Sequence, residues 1–173
     1  MRKIAYAALG VLFGLSLSAG AGAELKIGVV NATEVMEKAP QKETASSRLE
    51  QEFGPRKNKL QGEFKEIKQL EEKLAKDGVT MSEGERAKAE RDLSVRKRDF
   101  ARAQDELNGD LNIRRNEELN KLQQTLLDAI QTVGKEESYD LILAEGVAYV
   151  NPKIDLTDKV LQRMKDKATK AKK

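Results

Sequence analysis

The sequence predicts an α+β protein: a long antiparallel α-helical coiled-coil hairpin, forming an arm, on a small β-body. Three observations carry that reading. Charged residues make up 35 % of the chain and aromatics 4 %, with no tryptophan. This suits long solvated helices with a narrow apolar seam better than one large core. Apolar residues recur at heptad spacing in two long breaker-poor segments, and the two stripes mirror each other about a common centre. Strand-like alternation is confined to the ends of the remaining chain.

The first 23 residues have the organisation of a targeting segment. Arg2 and Lys3 are followed by the uncharged apolar stretch Ile4 to Leu17, then by Ala21-Gly22-Ala23, so cleavage is expected between Ala23 and Glu24. The stretch is short for a membrane span, which needs roughly 20 residues. The site lacks the cysteine of a lipid-anchored protein. The mature chain is expected to be soluble and extracytoplasmic. It contains no cysteine and no histidine. Disulfides, thiolate or imidazole zinc sites, and nucleophile systems built on Ser-His or Cys-His are therefore excluded.

Leu25 to Asn31 reads as a strand in which Leu25, Ile27 and Val29 form the buried face. Asn31 and Thr33 are helix N-cap candidates, with Glu34 and Glu37 favourable in the first turn. One helix is expected from Thr33 to Lys76 and a second from Ser82 to Glu137. In the connection, Gly78 reads as a C-cap and Ser82 as an N-cap, with Glu85 completing a capping box. Phe53, Leu60, Ile67 and Leu74 on the first helix face Leu107, Phe100, Leu93 and Ala87 on the second. That order places the tip near Thr80. The arm is expected over residues 41–109, with its tip at 77–82, and the body over 24–40 and 110–173.

Gly54-Pro55 falls inside the first helix, where proline removes a backbone hydrogen bond and clashes with the preceding turn. A kink is expected there, read either as a hinge that splays the arm or as a static bend. Pro40 would act similarly nearer the base. On the second helix the apolar column shifts from Leu93, Phe100 and Leu107 to Leu119, Leu126 and Val133. Gly109 lies at the break, so the helix is expected to leave its partner there and pack on the body. Beyond Gly134, Tyr139 to Leu143 and Val147 to Val150 read as a β-hairpin around Glu145-Gly146. Thr157 then caps an amphipathic helix carrying Val160, Leu161 and Met164, and a basic run from Lys165 to Lys173 closes the chain. So few strands make a marginal body. Self-association is expected through Leu25, Ile27, Val29, Leu141, Leu143, Val147 and Tyr149.

Charge is unevenly distributed. Arg56 to Arg102 holds fourteen basic and ten acidic residues, whereas Ala103 to Glu145 holds four basic and ten acidic. The basic section is expected to attract acidic partners through Lys59, Lys65, Lys68, Arg86, Lys88, Arg91, Arg96 and Arg98. Val79 and Met81 would supply apolar contact at the tip. The pairs Glu71-Glu72, Glu117-Glu118 and Glu136-Glu137 are adjacent on helices, point about 100° apart and do not converge on a substrate. No enzyme, metal or cofactor is expected. Nucleic acid is not expected either, since no aromatics interleave the charges. Contact with anionic lipid or lipopolysaccharide is read as a secondary activity only, and a structural coiled-coil adaptor of the cell envelope with one folded partner is the alternative reading.

Taken in order, several segments resemble the Skp (OmpH) family across essentially the whole mature length. These are Lys26-Ile27-Gly28-Val29-Val30-Asn31, Arg114-Arg115-Asn116-Glu117-Glu118, Tyr139-Asp140-Leu141-Ile142-Leu143 with Gly146-Val147-Ala148-Tyr149, and Ile154-Asp155-Leu156-Thr157 with Val160-Leu161. The resemblance implies a periplasmic homotrimer with a central β-body and three helical arms around a cavity. It implies ATP-independent holding of unfolded outer-membrane β-barrel proteins. Gly54-Pro55 is a departure that bears on arm shape.

Overall fold

The computed structural model describes residues 24–171. The expected targeting segment and its cleavage site lie outside the described residues. The order of elements is β1 (Ile27–Val29), α1 (Ala32–Lys38), α2 (Pro40–Asp77), α3 (Glu83–Glu136), β2 (Leu141–Leu143), a single 3₁₀ turn (Pro152–Ile154) and α4 (Thr157–Ala171). Two helices dominate: α2 has 38 residues and α3 has 54.

The predicted first helix is two helices. Ala39, just before Pro40, is extended at φ −67°, ψ 132°. A residue preceding proline is driven out of the α region. Pro40 itself becomes the first residue of α2, where its missing N–H costs nothing. Asn31 caps α1 by accepting from the Glu34 N–H at 3.1 Å. At Gly54-Pro55, in contrast, α2 runs unbroken. Pro55 deprives the Gln51 carbonyl of its intrahelical donor without ending the helix.

At the tip the capping box forms as the sequence requires. Ser82 Oγ accepts from the Glu85 N–H at 3.3 Å, and the Glu85 carboxylate accepts from the Ser82 N–H at 3.1 Å. The Asp77 carbonyl gathers the N–H groups of Thr80 and Met81 at 2.9 and 3.1 Å. Gly78 leaves room for this tight exit, since a Cβ there would lie 2.3 Å from the Leu74 carbonyl oxygen.

The helices are antiparallel, as cross-helix partners show. Lys97 pairs with Glu71 at 2.5 Å, Arg96 with Glu66 at 2.7 Å, Arg56 with Asp110 at 2.6 Å and Arg114 with Glu52 at 3.0 Å. Phe64 and Phe100 stack with ring centroids 5.9 Å apart. The seam is thin. Phe53, Ile67 and Leu107 are buried, whereas Leu60, Leu74, Ala87, Leu93 and Phe100 are only partly covered. The expectation that α3 leaves its partner at Gly109 is corrected. Gly109 lies within an unbroken helix, and α2 and α3 remain paired down to Arg48 and Glu118, 3.5 Å apart. The apolar surface widens below that level instead. Leu122, Leu126, Ala129, Ile130 and Val133 turn inward, while Leu119 stays exposed.

Those residues meet Val30, Val35, Ala39, Leu156, Val160, Leu161 and Met164 in one core. Val35, Val160 and Met164 are fully enclosed. The sheet differs from the expected hairpin. β1 and β2 are parallel, with Ile27 opposite Leu141, Gly28 opposite Ile142 and Val29 opposite Leu143. Parallel strands need a crossover, and here α1, α2 and α3 together form it. Val147–Val150 is irregular. Gly146, at φ +73°, turns the chain away after β2, and Asp155 takes the other edge of β1 at Val29. Val147–Val150 does not pair with the outer edge of β2, which stays without a strand neighbour among the described residues.

The expected buried face of β1 is also reversed in part. Gly28 and Val30 face the core, and a Cβ on Gly28 would lie 2.3 Å from Leu156 Cδ1. Leu25 and Ile27 are exposed, and Val29 alone of the three is buried.

Two outcomes follow from this packing. Met164→Ala should lower unfolding free energy by about 2–5 kcal/mol in a denaturant titration, the cost of a large cavity in a closed core. Ser82→Ala should loosen the tip by about 1 kcal/mol locally, seen as faster tryptic cleavage after Lys76 with the global unfolding midpoint unchanged.

Candidate functional site

The distal arm is the first candidate surface, and its cations differ in freedom. Lys68 lies 3.0 Å from Glu71 and 5.6 Å from the centre of the Phe64 ring. Arg86 pairs with Glu90 at 2.8 Å and Arg96 with Glu66 at 2.7 Å. Lys59–Glu63 and Arg98–Asp99 are looser, both at 3.8 Å. Arg91 donates to the Ala87 carbonyl at 3.2 Å. Among the described residues, Lys65 and Lys88 have no carboxylate within ion-pair distance. Lys73, Lys76 and Arg102 share that freedom, and the sequence reading did not single them out. Exposed pairs of this kind contribute little stability. Their value here is the field they leave: a distal arm with more cations than carboxylates.

Val79 is 88 % exposed at the turn, the largest apolar exposure on the arm. Met81 is partly covered and lines a tip cleft of about 370 Å³ with Leu70, Lys73 and Lys88. Phe64, Val95 and Ile113 are exposed on the arm as well. They occupy positions outside the heptad stripe, and that was the available signal for them.

The second candidate surface is the outer face of the sheet. Leu25, Ile27, Leu141, Leu143, Val147 and Tyr149 are exposed together, with Tyr149 at 81 %. Val29 is buried and lines a cleft with Ala144, Val147 and Tyr149.

The carboxylate pairs are held apart by separate cations. Glu117 binds Arg114 and Glu118 binds Lys121 at 2.7 Å. Glu136 binds Arg163 and Glu137 binds Lys159 at 2.7 Å. Glu71 is held below the ordinary carboxylate range, chiefly by its hydrogen bond from Lys97 and then by Lys68. Glu118 is the one buried charged side chain among the described residues. The Lys121 hydrogen bond lowers its pKa most, against burial that raises it, and Arg48 and Arg114 add to the lowering. Among the described residues no group of three or more acidic side chains could hold a metal ion. No helix there is long and apolar enough to cross a membrane.

A charged helical arm on a small α/β body, with Glu117, Glu118, Glu136 and Glu137 each held by its own cation, has the geometry of a binding protein. Comparison with known proteins agrees. Residues 26–164 match the family described as outer membrane protein, OmpH-like. The chain is 34 % identical over 154 residues to the chaperone protein Skp of Yersinia enterocolitica, covering 88 % of this chain and 94 % of that one. It is 34 % identical to the Skp-like protein of Pseudomonas aeruginosa, covering 82 % and 85 %. A crystal structure from Caulobacter crescentus, assigned as an OmpH-like outer membrane chaperone, shares the fold. Its TM-score is 0.72 at 17 % identity, covering 84 % of this chain and 86 % of that one. The chain belongs to the OmpH (Skp) family, which is not a family of enzymes.

The Glu118 network makes a pH prediction. Its depressed carboxyl pKa stabilises the fold above the ordinary carboxylate value of 4.5, and that contribution is lost as pH falls through the lower folded value. Glu118→Gln should therefore be less stable than the parent at neutral pH, with the difference shrinking in acid when unfolding midpoints are compared from pH 7 to pH 3.

Proposed function

We propose that this protein is an ATP-independent holdase of the periplasm that binds unfolded outer-membrane β-barrel proteins between helical arms and keeps them from aggregating. The observation that carries this reading is the arm itself. It joins an excess of cations to scattered exposed apolar side chains, on a scaffold whose relatives are named as chaperones. An unfolded β-barrel chain presents alternating apolar side chains and is insoluble in water. Many weak contacts hold such a chain by summed strength without a step that consumes nucleotide to release it. The cationic field speeds encounter with acidic clients.

Lys59, Lys65, Lys68, Arg86, Lys88, Arg91, Arg96 and Arg98 would provide that field, with Val79 and Met81 touching the client. The exposed sheet face, Leu25, Ile27, Leu141, Leu143, Val147 and Tyr149, would be covered by two further copies in a homotrimer. Export would follow from residues 1–23. Anionic lipid or lipopolysaccharide would be a secondary ligand of the same cations.

Dilution of a urea-denatured outer-membrane β-barrel into buffer with the purified protein, without lipid or nucleotide, tests the reading. Light scattering should be suppressed near one oligomer per client, and mass determination on the same sample should give three subunits. Unchanged client aggregation would refute the holdase. Saturable one-to-one binding of a single folded envelope protein would point to an adaptor instead. Gly54-Pro55 would act as the joint of the arm. Replacing both with alanine should narrow the spin-label distance distribution between the tip and the body, and an unchanged distribution would remove the hinge.

A further inference from the structure

At the root of the arm, where α2, α3 and α4 meet, lies a cavity of about 280 Å³ that client holding does not use. Its polar groups are unusual in their balance. Gln41 donates through Nε2 to the Met164 carbonyl at 2.7 Å. That bond fixes the amide's orientation and leaves Gln41 Oε1 buried with no donor. The Thr44 and Thr125 hydroxyls spend their protons on the Pro40 and Lys121 carbonyls, at 3.1 and 2.8 Å. They therefore offer the cavity only lone pairs.

Glu118, 7 % exposed, accepts from Lys121 through Oε1. Its Oε2 faces Arg48 at 3.5 Å, an ion pair without a close hydrogen bond. The Arg48 guanidinium thus keeps free N–H donors beside a wall of acceptors. The remaining wall is Ala45, Leu122 and Ala168.

A buried acceptor without a donor is costly, and the group that repairs it must donate. The same occupant must accept from Arg48 and place a short apolar body against Ala45, Leu122 and Ala168. Arg48 and Lys121 against Glu118 leave one net positive charge, which disfavours a simple cation. The cavity is smaller than the roughly 300–1,000 Å³ typical of sites for drug-sized ligands. We propose that it is a binding site for a small aliphatic α-amino acid in its zwitterionic form. The ammonium donates to Gln41 Oε1 and the Glu118 carboxylate. The ligand carboxylate accepts from Arg48, and the side chain fills the apolar wall. Such a ligand ties all three helices together where the arm joins the body. This site is independent of client holding, and either can stand without the other.

The test is calorimetric titration of the purified protein with L-valine. Isobutylamine, which lacks the acid, and isovalerate, which lacks the amine, serve as matched probes. Saturable millimolar binding of valine is expected, with each matched probe weaker by about tenfold because one set of hydrogen bonds is lost. Ala168→Leu, which fills the cavity from α4 and leaves the Gln41 and Glu118 bonds intact, should abolish binding while circular dichroism stays unchanged. Gln41→Met should weaken it, and Asp128→Asn, outside the cavity, should leave it unaltered. No saturable heat with valine would mean that the cavity holds water only, and the proposal fails. It fails equally if either matched probe binds as tightly as valine, or if valine still binds to a folded Ala168→Leu protein.

Discussion

Everything else in the molecule hangs on the apolar contact between the base of α3 and the segment that closes the chain. Val160, Leu161 and Met164 of α4 meet Leu122, Leu126, Ala129, Ile130 and Val133 of α3, with Val35 and Ala39 sealing the side. Burial of apolar surface is the main favourable term in folding, and this is where the chain concentrates it. Above Glu118 the seam narrows to single buried residues such as Phe53, Leu107 and Ile67, bordered by ion pairs exposed to solvent. The arm is therefore a helical pair clamped at one end. The parallel β1–β2 pairing reinforces the clamp, because the chain leaves β1, travels the length of the arm and returns to lie beside it.

This construction suits the proposed work. A surface that holds unfolded chains needs exposed apolar groups, yet such groups would promote collapse or self-association in an ordinary compact domain. Spreading Phe64, Val79, Val95 and Ile113 along a long charged arm keeps them separate. The cations around them keep the arm solvated and supply attraction at a distance. Stability is placed at the base and not along the arm, so the proposed contact surface could yield to many sequences. That arrangement leaves an apolar sheet face open in the single chain.

Much of the arm was legible in the sequence because its determinants are local. Heptad spacing gave the two stripes that face each other but not their register, since Phe100 meets Phe64 and not the expected Leu60. Ser82 with Glu85 gave the start of α3 to within a residue. The body was less legible because its determinants are not local. Val147–Val150 has strand composition, but whether it pairs with β2 depends on the path of the chain through Gly146, which at φ +73° is not followed by a hairpin. The inward face of β1 is decided by Leu156, more than a hundred residues away, which fits only over Gly28. Pro40 was misread as a kink within one helix because its effect depends on the extended Ala39 before it. Of the residues proposed to meet a client, the cationic section was visible as a charge imbalance. The individual pairing of its lysines and arginines was not, since pairing depends on which carboxylate the facing helix brings opposite. Phe64, Val95 and Ile113 were passed over because they fall outside the stripe that defines the seam.

The measurement that tests the clamped-arm account most directly is native-state hydrogen exchange resolved along α2 and α3. The account predicts a gradient: strongest protection at Leu126 to Val133, intermediate protection near Phe53 and Leu107, and least near Leu74 and Ala87. Protection should fall at matching levels of the two helices, since neither is stable without the other. Uniform protection from base to tip, or a tip protected as well as the core, would contradict it.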